Sequence, residues 1–153
     1  MRATALVALL LLLAGCAAPA GEVKATTVAD CEVREDSPAQ GVIRSTVELE
    51  VFWMAHCDGE MPVVNFPRAI VVYDAWGEQP SPSYKSEFLE FHDVEGSITA
   101  IFQHSTPESN CIQHPTLAYP TAVVMLENTV SAPSVSIQIT EAILGCPGWD
   151  TLR

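Results

Sequence analysis

The chain has 153 residues and carries 19 Asp and Glu against 7 Lys and Arg, which gives a formal net charge of −12 at pH 7. Negative charge in this excess repels nucleic acids and anionic membrane surfaces, so we expect no nucleic-acid partner. The length suits one compact domain. Solubility is the simpler explanation of the negative charge, and attraction of a cationic protein as a binding partner is the alternative.

The first residues have the pattern of a secretory signal. Met1-Arg2 is a short positive segment, and the residues from Ala3 to Leu13 are apolar except for Thr4. This run is shorter than the ~20 residues of a transmembrane helix and lies within the ~7 to 15 residues typical of a signal peptide. The residues Leu13-Ala14-Gly15-Cys16 that follow resemble the lipobox of bacterial lipoproteins.

This resemblance implies that residues 1–15 are cleaved as a signal peptide and that Cys16 becomes a lipidated first residue, which anchors the protein in a membrane. Because Ala17 rather than Asp follows the cysteine, the resemblance further implies attachment to the outer membrane of the bacterial envelope, facing the periplasm. Residues 16–30 are rich in Ala, Thr, Gly and Pro, so we predict a flexible tether there. Residues 31–153 are predicted to form a single β-domain.

Four cysteines remain when Cys16 is assigned to the lipid. An even number of cysteines in an oxidising compartment predicts disulfides, and the sequence by itself allows three pairings of Cys31, Cys57, Cys111 and Cys146. If the strands run up and down in turn, Cys31 and Cys57 lie at one end of the fold and Cys111 and Cys146 at the other. This layout favours pairing Cys31 with Cys57 and Cys111 with Cys146.

Beyond residue 30 the hydrophobic pattern is that of short β-strands. In VIRSTVELEVFWM, the residues Val47, Leu49, Val51 and Trp53 alternate with more polar ones, which predicts a strand with one buried face. Further β-rich runs are VVNFPRAIVVYDAW, SEFLEFH, SITAIFQ, YPTAVVMLE and SVSIQITEAIL. Turn-forming sequences separate nearly all of these runs.

This pattern predicts an all-β fold, namely an immunoglobulin-like β-sandwich of about seven strands, with a small β-barrel as the alternative. We predict no helix of ten or more residues. HDVEGS is the best hairpin signal, with Gly96 available for a positive φ. Pro67 and Pro120 interrupt or begin two of the runs, so we expect those strands to lie at a sheet edge or to contain a bulge.

The sequence contains no specific catalytic motif, so we expect a non-catalytic domain without a cofactor or a bound metal. It has no G-x-S-x-G, H-E-x-x-H, S-x-x-K or glycine-rich phosphate loop. Two groups of soft ligands are typical of copper sites: Met54, His56, Cys57 and Met61 in one turn, and His104, Cys111 and His114 in another. Disulfides beside surface histidines are the simpler interpretation.

The segment YDAWGEQPSPSYKSEF is a candidate binding loop. Tyr73, Trp76, Tyr84 and Phe88 flank a proline-containing connection that is too long for a tight hairpin. Tyr and Trp dominate binding hot spots, and loops on a β-scaffold are common recognition sites. The alternative is that these aromatic side chains fold back over a sheet edge.

The resulting functional hypothesis is a lipid-anchored envelope protein whose β-domain binds or braces another envelope component. One alternative is an acidic periplasmic inhibitor of a cationic hydrolase such as lysozyme, since charge steering suits that role. A second alternative is a periplasmic copper-binding protein.

Overall fold

The computed structural model describes residues 22–28, 31–113, 115–130 and 133–146. Within these ranges the chain forms seven strands and one helix: β1 (Lys24–Val28), β2 (Ala39–Ile43), α1 (Thr46–His56), β3 (Ala69–Ala75), β4 (Lys85–Val94), β5 (Ser97–Pro107), β6 (Thr121–Glu127) and β7 (Ser134–Leu144). Cys16, His114 and residues 1–15, which are predicted to be a signal peptide, lie outside the described residues. No helix among the described residues is both long enough and apolar enough to cross a membrane.

The strands form two sheets, which confirms the predicted all-β sandwich of seven strands. Sheet 1 has the order β1-β6-β3-β2 and is antiparallel throughout, while sheet 2 has the order β4-β5-β7. In sheet 2, β4 is antiparallel to β5 and β7 is parallel to it. The division into four and three strands is that of an immunoglobulin constant-type sandwich, from which the parallel β5–β7 pair departs. Both sheets are open in the described residues, so the alternative of a small closed barrel is wrong.

Sheet 1 is covered on both of its faces, which gives the molecule three layers. On β3, Ile70 and Val72 pack against sheet 2, whereas Val71 and Ala75 pack against α1. All four side chains are nearly inaccessible to solvent, which explains why β3 has a continuous apolar run rather than an alternating one.

Residues Thr46–His56 form a helix, so the predicted strand over this segment is wrong. The helix begins with reciprocal caps: the Glu48 N–H donates to Ser45 Oγ, and the Arg44 N–H donates to Glu48 Oε2. This arrangement is close to the capping box S-x-x-E, which satisfies N–H groups that a helix leaves unpaired at its start.

The residues of α1 satisfy two periodicities at once, and this is the physical reason for the wrong prediction. Leu49, Phe52 and Trp53 have helical spacing and are buried against sheet 1. Val47 and Val51 are apolar but exposed on the opposite face. Apolar residues on both faces produced an apparent period of two, and the prediction that the chain lacks a helix of this length is also wrong.

The expected tether and the expected edge positions of two strands are also wrong. Lys24–Val28, within the segment expected to be a tether, forms β1 and pairs with β6. The strands beside Pro67 and Pro120 are β3 and β6, which are central in sheet 1 and not edge strands. Both prolines lie just outside the strands, where a missing N–H removes no bond from the ladder.

The predicted hairpin is confirmed as the connection between β4 and β5. Val94 pairs with Ser97, and the two residues between them, Glu95 and Gly96, have φ values of 51° and 80°. Positive φ at both central residues is the requirement of a type I′ turn, which matches the twist of the strands.

The cysteines are paired as the sequence favoured, although the layout that suggested this pairing is wrong. Cys57 ends α1 and is joined to Cys31, because the helix returns the chain to the start of the domain. Cys111 is joined to Cys146, because the parallel alignment of β5 and β7 brings the ends of these strands together.

Candidate functional site

The four aromatic residues of the candidate binding loop lie in three separate places. Tyr73 faces α1, and its ring centroid is 4.7 Å from that of Phe52. Phe88 belongs to the core between the sheets. Trp76 and Tyr84 contact each other, with 5.6 Å between their ring centroids. The structure places these four half-buried residues on no common surface, and the Trp76–Tyr84 pair is what remains of the predicted loop site.

A buried polar cluster joins the two sheets beside this aromatic pair. Asp74 on β3 is fully buried, and its carboxylate accepts hydrogen bonds from Gln40 Nε2 at 2.8 Å and from Ser86 Oγ at 2.6 Å. The Nε2 atom of His104 on β5 lies 2.6 Å from the same carboxylate, and Trp76 stacks on the His104 ring. This cluster could not be predicted from the sequence, because its members are far apart in the chain.

The cluster does not have the geometry of a nucleophile and its base. In a Ser–His–Asp triad the hydroxyl donates to the imidazole, which is held by the carboxylate on its other side. Here the Ser86 hydroxyl donates to the carboxylate of Asp74 and not to His104. The arrangement therefore satisfies a buried charge and links the sheets, which is a structural role.

Each of the two groups of soft ligands loses its cysteine thiolate to a disulfide. Cys57 and Cys111 are bonded to Cys31 and Cys146, so neither supplies the thiolate that a copper site of this type needs. The sulfurs of Cys111 and Cys146 lie near a carboxylate oxygen of Glu108, but sulfurs in a disulfide are not thiolate ligands.

The best candidate for a functional site is an apolar groove between α1 and β2, which we call the α1–β2 groove. Its volume is about 430 Å³, within the range of ~300 to 1,000 Å³ typical of ligand pockets. Its lining residues come from three elements: Gly41, Val42 and Ile43 of β2, Val47, Glu48, Val51, Phe52, Ala55 and His56 of α1, and Tyr73 of β3.

Glycine at position 41 allows the Tyr73 side chain to lie across β2 in this groove. A Cβ atom at Gly41 would lie 2.5 Å from Cε1 of the Tyr73 ring, well inside van der Waals contact. The close approach lets an aromatic ring lie directly on the main chain of the strand. Tyr73 is therefore placed by β2 as well as by its contact with Phe52.

The outer face of α1 continues the apolar surface beyond the groove. Val47, Val51 and Met54 are 69%, 61% and 81% exposed, and their spacing puts them on one face of the helix. Single exposed apolar residues are common on protein surfaces, but a contiguous row beside a groove is typical of an interaction site.

The groove runs along the outer edge of β2. Side chains of successive strand residues point to opposite faces, yet three consecutive residues, Gly41, Val42 and Ile43, line the groove. It therefore gives access to the main chain of β2. This strand is at the end of sheet 1, and no strand in the described part of the chain pairs with its outer edge.

The charged groups around the groove are predominantly acidic. Glu48 lines it. Burial of the Tyr73 hydroxyl raises its pKa, and the charge of Glu35, which is not a lining residue, raises the pKa further. Of the neighbouring cations, Arg34 pairs with Glu32, whereas Arg44, whose guanidinium donates to the neutral Pro133 carbonyl, keeps its positive charge between β2 and α1.

Sequence reasoning missed this site because it assigned the helix as a strand. The sequence did contain a signal for the helix, Ser45-x-x-Glu48, directly before a segment with apolar residues at helical spacing. With α1 recognised, Val47, Val51 and Met54 would have been identified as apolar residues that the core does not use.

The function of the groove has to be argued from its own residues, because comparison of this chain with protein-family models, curated proteins and solved structures finds no match.

Proposed function

We propose that this chain is a lipid-anchored protein of the bacterial envelope whose β-domain binds another envelope protein through the α1–β2 groove, without covalent chemistry. The anchor would be Cys16, and the outer membrane, facing the periplasm, is the location that the lipobox and Ala17 favour. The domain would then hold or recognise its partner at the membrane surface.

The observation that carries the binding function is the exposed apolar row on α1 beside the groove. Val51 and Met54 are more than half exposed on an 11-residue helix whose other face is well packed against sheet 1. Exposed apolar surface costs solubility, and burying it contributes roughly 25 cal/mol per Å². A protein partner that covers this row gains that contribution, which explains apolar residues here better than packing within the domain does.

The negative charge of the chain supports a cationic partner. It therefore also supports the alternative that the protein inhibits a cationic hydrolase. The formal net charge is −12, and Glu48 and Glu35 lie at or near the groove. A cationic hydrolase such as lysozyme would be attracted by this field, and its association rate would fall as salt is added. The copper-binding alternative has weaker support, since Cys57 and Cys111 are in disulfides.

The anchor is tested with the full chain expressed in a bacterium that processes lipoproteins. We expect the wild-type chain to incorporate labelled palmitate and the Cys16→Ser variant to remain an unlipidated precursor. Lipidation of the Cys16→Ser variant would refute the proposed anchor.

The binding function is tested by site-specific photo-crosslinking in intact envelopes. A photoreactive residue at Val51 of α1 is compared with one at Val63, a 98% exposed valine in the connection from α1 to β3. We expect a discrete protein adduct from position 51 and none like it from position 63. With the photoreactive residue at Met54 instead, we expect Val51→Asp to abolish the adduct and Val63→Asp to leave it unchanged. Indistinguishable adducts from positions 51 and 63 would contradict a role for the groove.

A further inference from the structure

We infer that the α1–β2 groove binds an extended segment of its partner by adding a strand to β2, and that this segment alternates apolar and basic side chains. The inference rests on the proposed function, because it names how the same groove holds a partner and what chemistry the partner brings. It is carried by the free edge of β2, by the dimensions of the groove and by the charges around it.

One edge of the β2 main chain pairs with no other strand among the described residues. Its other edge pairs with β3 from Ala39↔Ala75 to Ile43↔Val71, and three consecutive residues of β2, Gly41, Val42 and the buried Ile43, line the groove. Natural proteins protect free edges with charges, prolines or bulges. β4 in sheet 2 follows this rule, with Lys85, Glu87, Glu90 and Asp93 along its length and a bulge between Phe88 and Glu90.

β2 lacks these protections, which distinguishes it from β4. Its sequence AQGVI contains no charged residue and no proline, and its register with β3 is regular. An uncharged, regular edge beside an apolar groove is the arrangement used for β-strand addition, in which main-chain hydrogen bonds supply affinity and alternate side-chain pockets supply specificity.

The length of the groove fits a short strand. Its α1 lining runs from Val47 to His56, which is about 14 Å at ~1.5 Å per residue. An extended segment covers this distance in about four residues, and every second side chain points to the same side. Two apolar side chains of the partner would therefore enter the groove, between the α1 residues and Tyr73.

The intervening side chains of the partner point to the opposite side of the added strand, away from the lining of the groove, so the carboxylates at the groove act on them through space and not by direct contact. Glu48 keeps acceptor capacity beyond the hydrogen bond from the Arg44 N–H, and Glu35 is close enough to Tyr73 to raise the pKa of its hydroxyl. Lys or Arg at the intervening positions complements these carboxylates.

The same charges make a second copy of this chain a poor occupant. Pairing two β2 edges would bring together two chains of net charge −12 and place their acidic groove surroundings side by side. A helix packed on Val47, Val51 and Met54 would bury the apolar row but leave the free edge of β2 without hydrogen-bond partners. An extended basic segment satisfies both the apolar and the main-chain groups.

The test uses the full lipidated chain in detergent and three synthetic eight-residue peptides as probes. One peptide alternates Val and Lys, the second has the same residues in two blocks, and the third is the alternating peptide with N-methyl groups on every second residue. N-methylation of every second residue removes the N–H groups from one edge of the strand. The third peptide is therefore made in two versions, one methylated at the odd positions and the other at the even positions. Binding is measured by calorimetry, and protection of the main chain by amide hydrogen exchange resolved to single residues.

We expect the alternating peptide to slow exchange at those amides of Ala39–Ile43 that do not pair with β3, by tenfold or more at saturation. One of the two N-methylated versions should bind at least tenfold more weakly than the unmethylated alternating peptide. The Val51→Asp variant of the protein should likewise bind the alternating peptide at least tenfold more weakly. The block peptide should bind more weakly than the alternating one. Glu35→Gln should reduce the affinity about threefold at low salt, while Glu87→Gln, on the outer surface of sheet 2, should leave it unchanged.

Several outcomes would overturn the inference. Equal binding of the alternating and block peptides would mean that charge alone attracts them, and equal binding of both N-methylated peptides would exclude strand pairing. No binding at millimolar concentration would refute the assigned chemistry, and concentration-dependent protection of β2 without peptide would identify a second copy as the occupant. Photo-crosslinking from Val51 separates the proposed binding function from the proposed strand addition. A protein adduct at Val51 without protection of the β2 amides would support partner binding at the groove and reject only strand addition.

Discussion

His104 and Asp74 connect the two sheets near the end of β3, with 2.6 Å between Nε2 and Oδ2. Asp74 is fully buried and His104 nearly so. A carboxylate in such a place is tolerated only when its oxygens are satisfied, and here Gln40 and Ser86 supply the other two donors. The pair therefore fixes the position of one sheet relative to the other.

Replacing Asp74 by Ala should destabilise the domain severely. The change removes the acceptor of the nearly fully buried His104, of the half-buried Ser86 and of the exposed Gln40, and breaking a buried pair such as Asp74–His104 typically costs about 3 to 5 kcal/mol. The free energy of unfolding is measured by urea denaturation. Asp58→Ala, at an exposed position after α1, is the control and should stay within about 0.5 kcal/mol of the wild type. A similar value for Asp74→Ala would show that the cluster contributes little.

The double variant Trp76→Ala/Tyr84→Ala should also unfold at a lower urea concentration. Both side chains are half-buried, their rings contact each other, and Trp76 stacks on His104. Truncating packed aromatic residues typically costs about 3 kcal/mol or more. If the pair served recognition alone, the midpoint would hardly move, and the interpretation of these residues as a binding loop would gain support instead.

Tyr73 should make stability fall at alkaline pH. Burial and the charge of Glu35 raise the pKa of its hydroxyl above the ordinary value of about 10. The unfolded chain therefore loses this proton before the folded domain does. The contribution of Tyr73 is complete below about pH 10 and is lost as the pH rises towards the folded-state pKa.

Urea denaturation of the Tyr73→Phe variant between pH 8 and 11 measures this contribution. Relative to the wild type, the variant should show a smaller decline in the free energy of unfolding. Tyr84→Phe, which removes a hydroxyl from another half-buried tyrosine, is the matched control. Parallel pH profiles for the wild type and Tyr73→Phe would contradict the assignment.

The disulfides predict a simple result in thiol titration. In the Cys16→Ser variant, the denatured but unreduced chain should show no free thiol, and reduction should release the thiols of Cys31, Cys57, Cys111 and Cys146. Each bridge closes a loop with a sequence separation of 26 or 35 residues, which contributes on the order of 3 to 4 kcal/mol. Two thiols that react before reduction would restore the metal-site hypothesis.

Sequence patterns were sufficient where the local chain decides the structure. The β4–β5 hairpin was predicted because HDVEGS places Gly96 where a turn needs a positive φ, although a bulged turn was expected and the structure has a regular two-residue turn. Most strands were predicted for the same reason, since period-two hydrophobicity is a local property. The cysteine pairing was also predicted, although α1 and the parallel β5–β7 pair, rather than alternating strands, bring the sulfurs together.

Predictions failed where packing between distant segments determines the structure. The central positions of β3 and β6 in sheet 1 depend on strand order, which local patterns do not contain. β1 is almost wholly exposed and polar, so its pairing with β6 left no hydrophobic signal. Predicting the groove would have required both the helical assignment of α1 and the edge position of β2. Predicting the buried Asp74 cluster would have required knowing how the two sheets pack.

The parallel pairing of β5 with β7 has a consequence for how the chain is made. During synthesis β5 acquires β4 on one side as soon as the hairpin is complete, but β6 then joins the opposite sheet. The other side of β5 stays open until residues 134–144 follow. A chain halted before that point would present an 11-residue ladder of unpaired main-chain groups, the kind of surface on which nascent proteins aggregate. Newly made molecules therefore depend on β7, or on a chaperone that shields β5, to stay soluble before they fold.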